Sequence, residues 1–89
     1  MKHFRFTLYI AGQSSRSQRA VANLRTVCEK LGRTYELAII DILETPEDAE
    51  SANILAIPTL IKQLPLPERR LIGDLSNPEA LANELDISD

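Results

Sequence analysis

Two strand-like segments separated by a full amphipathic helix dominate the first half of the sequence. Phe4, Phe6, Leu8 and Ile10 alternate with Arg5, Thr7 and Tyr9, the period of two that puts one set of side chains on each face of a strand. Ala11-Gly12-Gln13-Ser14-Ser15 breaks the alternation, and Ser14 or Ser15 is suited to cap a helix. Across residues 17–31, Ala20, Val21, Leu24, Val27, Cys28 and Leu31 recur at helical spacing, and Gly32 stands where a C′ glycine ends a helix. Residues 35–42 contain Leu37-Ala38-Ile39-Ile40 and Ile42, a nearly continuous apolar run expected of a strand covered on both faces. A strand, helix and strand of these lengths make a βαβ unit, with a right-handed crossover and parallel pairing.

The second half supplies the rest of an α/β domain. Thr45-Pro46-Glu47-Asp48 opens a short helix, with Thr45 as N-cap and Pro46 at the first helical position. Thr59–Leu64 is a third strand, Pro65 and Pro67 bracket a tight connection, and Arg69–Ile72 returns as an edge strand. That connection is too short for a crossover, so the two strands form an antiparallel hairpin. Ser76-Asn77-Pro78-Glu79 is a capping box that starts a terminal helix with Ala80, Leu81 and Leu85 as its apolar stripe. The expected order is β-α-β-α-β-β-α, with a mixed four-stranded sheet.

With 89 residues the chain is expected to be one domain, 1–89, around one modest core. A net charge of −3 gives no reason to expect a nucleic-acid partner. Apolar runs such as Ala38-Ile39-Ile40 are far shorter than a membrane span, and Met1-Lys2-His3-Phe4 lacks a signal-peptide core, so the expected location is cytoplasmic. Cys28 is the single cysteine and His3 the single histidine, which excludes an internal disulfide and leaves no His/Cys metal cluster. No cofactor is expected.

Ala56-Ile57-Pro58-Thr59-Leu60 follows the short helix and enters the third strand. Together with the element order, this resembles thioredoxin-like folds, which place a cis-proline at that junction; by itself the pentapeptide favours an ordinary trans proline opening a strand. Redox members of that fold carry Cys-x-x-Cys at the first strand-to-helix turn, where the helix N-terminus lowers the thiol pKa. Here the turn reads Ala11-Gly12-Gln13-Ser14-Ser15-Arg16, without sulfur, while Cys28 falls on the apolar stripe late in the helix. Dithiol chemistry is therefore excluded, and Cys28 reads as a buried structural thiol. Ser14 invites comparison with the thiol-activating serine of glutathione-transferase-like proteins, but no base is evident beside it.

From Leu8 to Asn77 the chain resembles the KaiB family of circadian-clock proteins. The resemblance rests on Leu8-Tyr9-Ile10-Ala11-Gly12, Ile40-Asp41-Ile42-Leu43, Ile54-Leu55-Ala56-Ile57-Pro58-Thr59-Leu60 and Leu64-Pro65-Leu66-Pro67-Glu68-Arg69-Arg70-Leu71-Ile72-Gly73-Asp74-Leu75-Ser76. It implies a non-enzymatic protein that docks on the ring ATPase KaiC and then recruits or displaces other components, among them KaiA or a clock-associated histidine kinase. It also implies fold switching, because family members exchange a tetrameric ground state for a thioredoxin-like, KaiC-binding state. This chain departs from the pattern by ending at Asp89 without a longer acidic tail and by carrying Glu84 where clock relatives are expected to have glycine. Glycine inside a helix costs about 1 kcal/mol. Ser76, Glu79 and Glu84 therefore all favour the terminal helix, and with it a monomeric thioredoxin-like state over the tetramer.

The candidate partner-binding residues are Ile57, Pro58, Thr59, Pro65, Leu66, Pro67, Arg69 and Arg70. Each has a plainer reading. The arginines on an edge strand also serve to prevent sheet-to-sheet aggregation, and Pro65-Leu66-Pro67 also reads as a rigid turn, although an exposed Leu66 would be an interface anchor. Tyr9 reads as core beneath a helix, Asp41 as a solvated strand end, and Gly73-Asp74 as a turn into the capped helix. Three functions stay open: a clock or signalling adaptor, a glutathione-transferase-like thiol-binding protein, and a stand-alone kinase sensor domain.

Overall fold

A computed structural model of the chain describes residues 3–30, 32, 34–51, 54, 57–73, 75, 76, 81 and 83. The elements are β1 (Phe4–Ile10), α1 (Ser15–Lys30), β2 (Tyr35–Asp41), α2 (Pro46–Ser51), β3 (Thr59–Leu64) and β4 (Arg69–Ile72). Leu81 and Asn83 are helical as well. The strands form one sheet in the order β2-β1-β3-β4. β1 pairs in parallel with β2, as the intervening helix requires, and antiparallel with β3. β3 and β4 form the expected antiparallel hairpin. This is the thioredoxin-like α/β arrangement with a mixed four-stranded sheet.

The main core cluster lies on one face of the sheet. Phe4, Phe6 and Leu8 of β1 and Leu60 of β3 pack with Ala20, Leu24, Val27 and Cys28 of α1 and with Leu75 and Leu81. Phe4 and Phe6 stack with ring centroids 5.9 Å apart. The opposite face carries Thr7 and Tyr9, paired in register with Ile61 and Thr59, and all four are buried. Tyr9 is therefore core, as its place on a central strand predicts. Lys62 is buried too, although it pairs with Phe6 on the α1 face, and it has an interaction within the chain.

The helix starts earlier than the apolar stripe alone suggests. Ser14 is the cap: its Oγ accepts from the Ser17 N–H at 3.2 Å and its carbonyl from the Gln18 N–H at 2.9 Å. Gly32 has φ +65°, the left-handed conformation expected at C′. One expectation needs correction. β2 is not covered on both faces: it is an edge strand, Tyr35 and Ile39 are 40% and 36% exposed, and Ala38 is exposed as well. Its continuous apolar run imitates a central strand, but the sheet order places β1 there instead.

Among the described residues, no helix is long and apolar enough to cross a membrane, and no cluster of side chains is suited to hold a metal ion. Glu79 and Glu84, on which the terminal-helix expectation partly rests, lie outside the described residues, as do Leu31, Ala56, Asp74 and Leu85. Ser76 is described and exposed.

Candidate docking surface

The β1–α1 turn, where a redox relative would hold its thiols, is occupied by structural hydrogen bonds. The Ala11 N–H donates to Ser17 Oγ at 3.2 Å, and the Gly12 N–H donates to Asp41 Oδ1 at 3.0 Å. The same Asp41 oxygen accepts from the Leu43 N–H at 3.0 Å. Asp41 thus ties the end of β2 to the turn after β1, and is more than the solvated strand end its position suggests. Gly12 has φ +62°, a conformation that favours glycine, and a Cβ there would meet Leu43 Cδ1 at 3.0 Å.

Cys28 lies 14 residues beyond the Ser14 cap, about 21 Å along the helix axis from its positive end. It is 2% exposed, and burial pushes its thiol from 9.0 up to about 11, with Arg25 acting weakly in the other direction. A thiol in that state is neutral at physiological pH and is no nucleophile. The exposed Glu36 carboxylate is held below its ordinary pKa by its hydrogen bond from Arg5 Nε at 2.9 Å, with further help from the Arg5 charge and from His3.

The candidate partner-binding residues do not converge on one spot. Ile57 is half-buried, while Pro58 and Thr59 are buried at the start of β3. Pro65, Leu66 and Pro67 form the turn after β3, about 20 Å away at the rise of a six-residue strand. The Ile57–Pro58, Leu64–Pro65 and Leu66–Pro67 bonds are cis. Leu66 is 76% exposed, Pro67 is exposed, and Pro65 is half-buried. Between these ends runs β4, with Arg69 and Arg70 exposed and Arg70 Nε 3.6 Å from Glu68 Oε1. The accessible part of the set is therefore Leu66, Pro67, Arg69 and Arg70.

Three apolar positions escaped the sequence reading. Ile72, at the far end of β4, is 68% exposed, and a signal for it existed: it is an apolar residue at the end of a short edge strand. Leu43 is 71% exposed in the connection between β2 and α2. Ile39 helps line an open groove of about 420 Å³ between α1 and the β2 edge, together with Ile10, Val21, Ala22 and Arg25. That groove was not legible, because Val21 and Ile39 both read as core.

The sequence matches the KaiB domain family over residues 7–87. The chain belongs to the KaiB family. It is 54% identical over 81 residues to the circadian clock protein KaiB3 of Synechocystis sp., covering 90% of this chain and 79% of that protein. It is 45% identical over 87 residues to the circadian clock oscillator protein KaiB of Synechococcus elongatus, covering 97% and 85%. Among solved structures, this KaiB-family chain is similar to the N-terminal domain of Synechococcus elongatus SasA, with a TM-score of 0.75, 21% identity, and 96% and 81% of the two chains covered. It is equally similar in fold to mitochondrial thioredoxin 3 of Saccharomyces cerevisiae, with a TM-score of 0.75, 18% identity, and 93% and 76% covered. At those identities the structural likeness concerns the fold alone. The family membership gives the chain a circadian-clock kinship.

Proposed function

We propose that this KaiB-family chain is a non-catalytic adaptor, one cytoplasmic domain over residues 1–89, that docks on a KaiC-type ring ATPase and so brings in or displaces a KaiA-type protein or a clock-associated histidine kinase. The observation that carries this reading is the contrast between two regions. The turn that serves thiol chemistry elsewhere in the fold is sulfur-free and tied up by Ser14, Ser17 and Asp41. The β3–β4 hairpin, by contrast, presents exposed Leu66 and Ile72 at its two ends and two arginines between them. Apolar anchors beside arginine are what protein interfaces use.

The working state is the thioredoxin-like monomer, with the tetrameric ground-state fold of KaiB relatives minor. The β3–β4 hairpin, in the C-terminal half where the two states of KaiB relatives are expected to differ, belongs to that state. The test is co-elution of the purified chain with the KaiC-type ATPase of the same organism on a sizing column, followed by titration of a labelled chain. Saturable binding, with insulin reduction and glutathione binding at background, is the expected result. A chain that fails to bind the assembled ATPase, or that reduces insulin through Cys28, would overturn the reading.

A further inference from the structure

The hairpin ends in a strand whose outer edge has an asymmetric chemistry. In β4 the cross-strand pairs are Arg69 with Lys62, Arg70 with Ile61, Leu71 with Leu60 and Ile72 with Thr59. The Gly73 N–H donates to the Pro58 carbonyl at 3.0 Å. Because hydrogen-bonded and non-hydrogen-bonded pairs alternate along an antiparallel ladder, Leu71 and Arg69 turn their backbone groups toward β3. Arg70 and Ile72 therefore turn their N–H and C=O groups outward, at the end of the sheet, where no strand among the described residues pairs with them.

The side chains along this edge also divide. Arg69 and Leu71 share the face of Leu60 and Lys62, while Arg70 and Ile72 share the face of Ile61 and Thr59. One arginine thus stands on each face of the edge, followed by a half-buried leucine and an exposed isoleucine. Both arginines make contacts within the chain as well, Arg70 with Glu68, so what the edge offers is its net positive side rather than a bare charge.

We propose that β4 receives an acidic, extended segment of a partner protein as a fifth, antiparallel strand. Running antiparallel, the segment places two β-branched apolar residues against Ile72 and Leu71, then two consecutive carboxylates, one toward Arg70 and one toward Arg69. The outward groups of Arg70 and Ile72 supply the backbone ladder. A second copy of this chain does not fit, because pairing β4 with β4 sets Arg70 opposite or diagonal to the other Arg70. The opposite edge of the sheet does not suit an acidic strand either, since β2 carries Glu36 and Asp41. The proposal rests on the reading of this chain as a docking module, and it names the chemistry of what docks.

The probe is a capped hexapeptide, Thr-Val-Val-Glu-Glu-Thr, titrated into the isotope-labelled chain, with Thr-Val-Val-Lys-Lys-Thr as its counterpart. The acidic peptide should shift the amide signals of Arg70 and Ile72, leave those of β2 in place, and lose affinity as salt rises. Arg69→Glu with Arg70→Glu should weaken it about tenfold and transfer the preference to the lysine peptide. Ile72→Pro removes an outward N–H that β3 does not use, so the chain should keep its β1 and α1 shifts while losing the peptide. Should that variant fail to fold, the charge-reversal pair still decides. Equal response to both peptides, shifts at β2 instead of β4, or unchanged preference after charge reversal would overturn the proposal. A chain that binds the ring ATPase while Arg70 and Ile72 stay unperturbed would likewise refute strand addition and leave the docking function standing.

Discussion

Leu66→Ala separates docking from folding. Leu66 is 76% exposed, so folding removes only about a quarter of its side chain from water. Full burial of a leucine is worth about 1.5–3 kcal/mol, and the covered quarter therefore amounts to about 0.5 kcal/mol. For a domain of this size that lowers Tm by about 2–4 °C. An apolar anchor seated in a partner is worth about 1.4 kcal/mol or more, which is tenfold in Kd. Thermal unfolding and titration of the KaiC-type ATPase, run on the same preparation, give the two numbers. Tm should change little while affinity falls about tenfold. A Tm loss as large as the binding loss, or unchanged binding, would return Leu66 to a rigid turn and refute it.

Other consequences are equally direct. Asp41→Ala leaves the Gly12 and Leu43 N–H groups without their carboxylate and should cost about 2 kcal/mol, whereas Asp41→Asn, which keeps an acceptor oxygen, should cost about 1 kcal/mol or less; chemical denaturation measures both. Cys28→Ala should cost about 1 kcal/mol and leave ATPase binding unchanged. In the native chain Cys28 should resist alkylation at neutral pH. Because its folded pKa is raised to about 11, the stability it contributes is full below 9.0 and lost as pH climbs toward 11, which a denaturation series in that window would register. Glu36 should titrate below an ordinary glutamate by NMR and move back upward in Arg5→Ala. Since its folded pKa is depressed, its small contribution is present above the ordinary carboxylate range and fades as pH falls through the folded value.

Much of the fold was legible because local signals agreed with one another. The alternation of Phe4, Phe6, Leu8 and Ile10 gave β1 its correct bounds and core face, and the sequence pattern likewise gave β3 and β4 their observed limits. Ser14 acts as the cap its residue type suggests. The edge position of β2 was not legible, because hydrophobic periodicity reports what a strand is made of and not which neighbour lies beside it. Lys62 shows the converse: a lysine within a strand reads as solvent-facing, yet sheet register sets it beside Phe6 on the covered face. The double role of the Asp41 carboxylate depends on Gly12 and Leu43 meeting at the ends of two different strands, which no local window contains. Leu66, Arg69 and Arg70 are candidates for the proposed docking surface by residue type and turn chemistry, and the structure shows them exposed. The exposure of Ile72 and the outward backbone of β4 emerge only once the sheet order is known.

The central claim is that the docking surface is already formed in the free chain, since β4 and the turn carrying Leu66 exist only where β3 and β4 pair as a hairpin. Backbone chemical shifts of the isolated protein test this most directly. They should show strand values across Leu60 to Leu64 and across Arg69 to Ile72, as the observed hairpin requires. Helical shifts across Leu60 to Leu64 in the free protein would contradict the account.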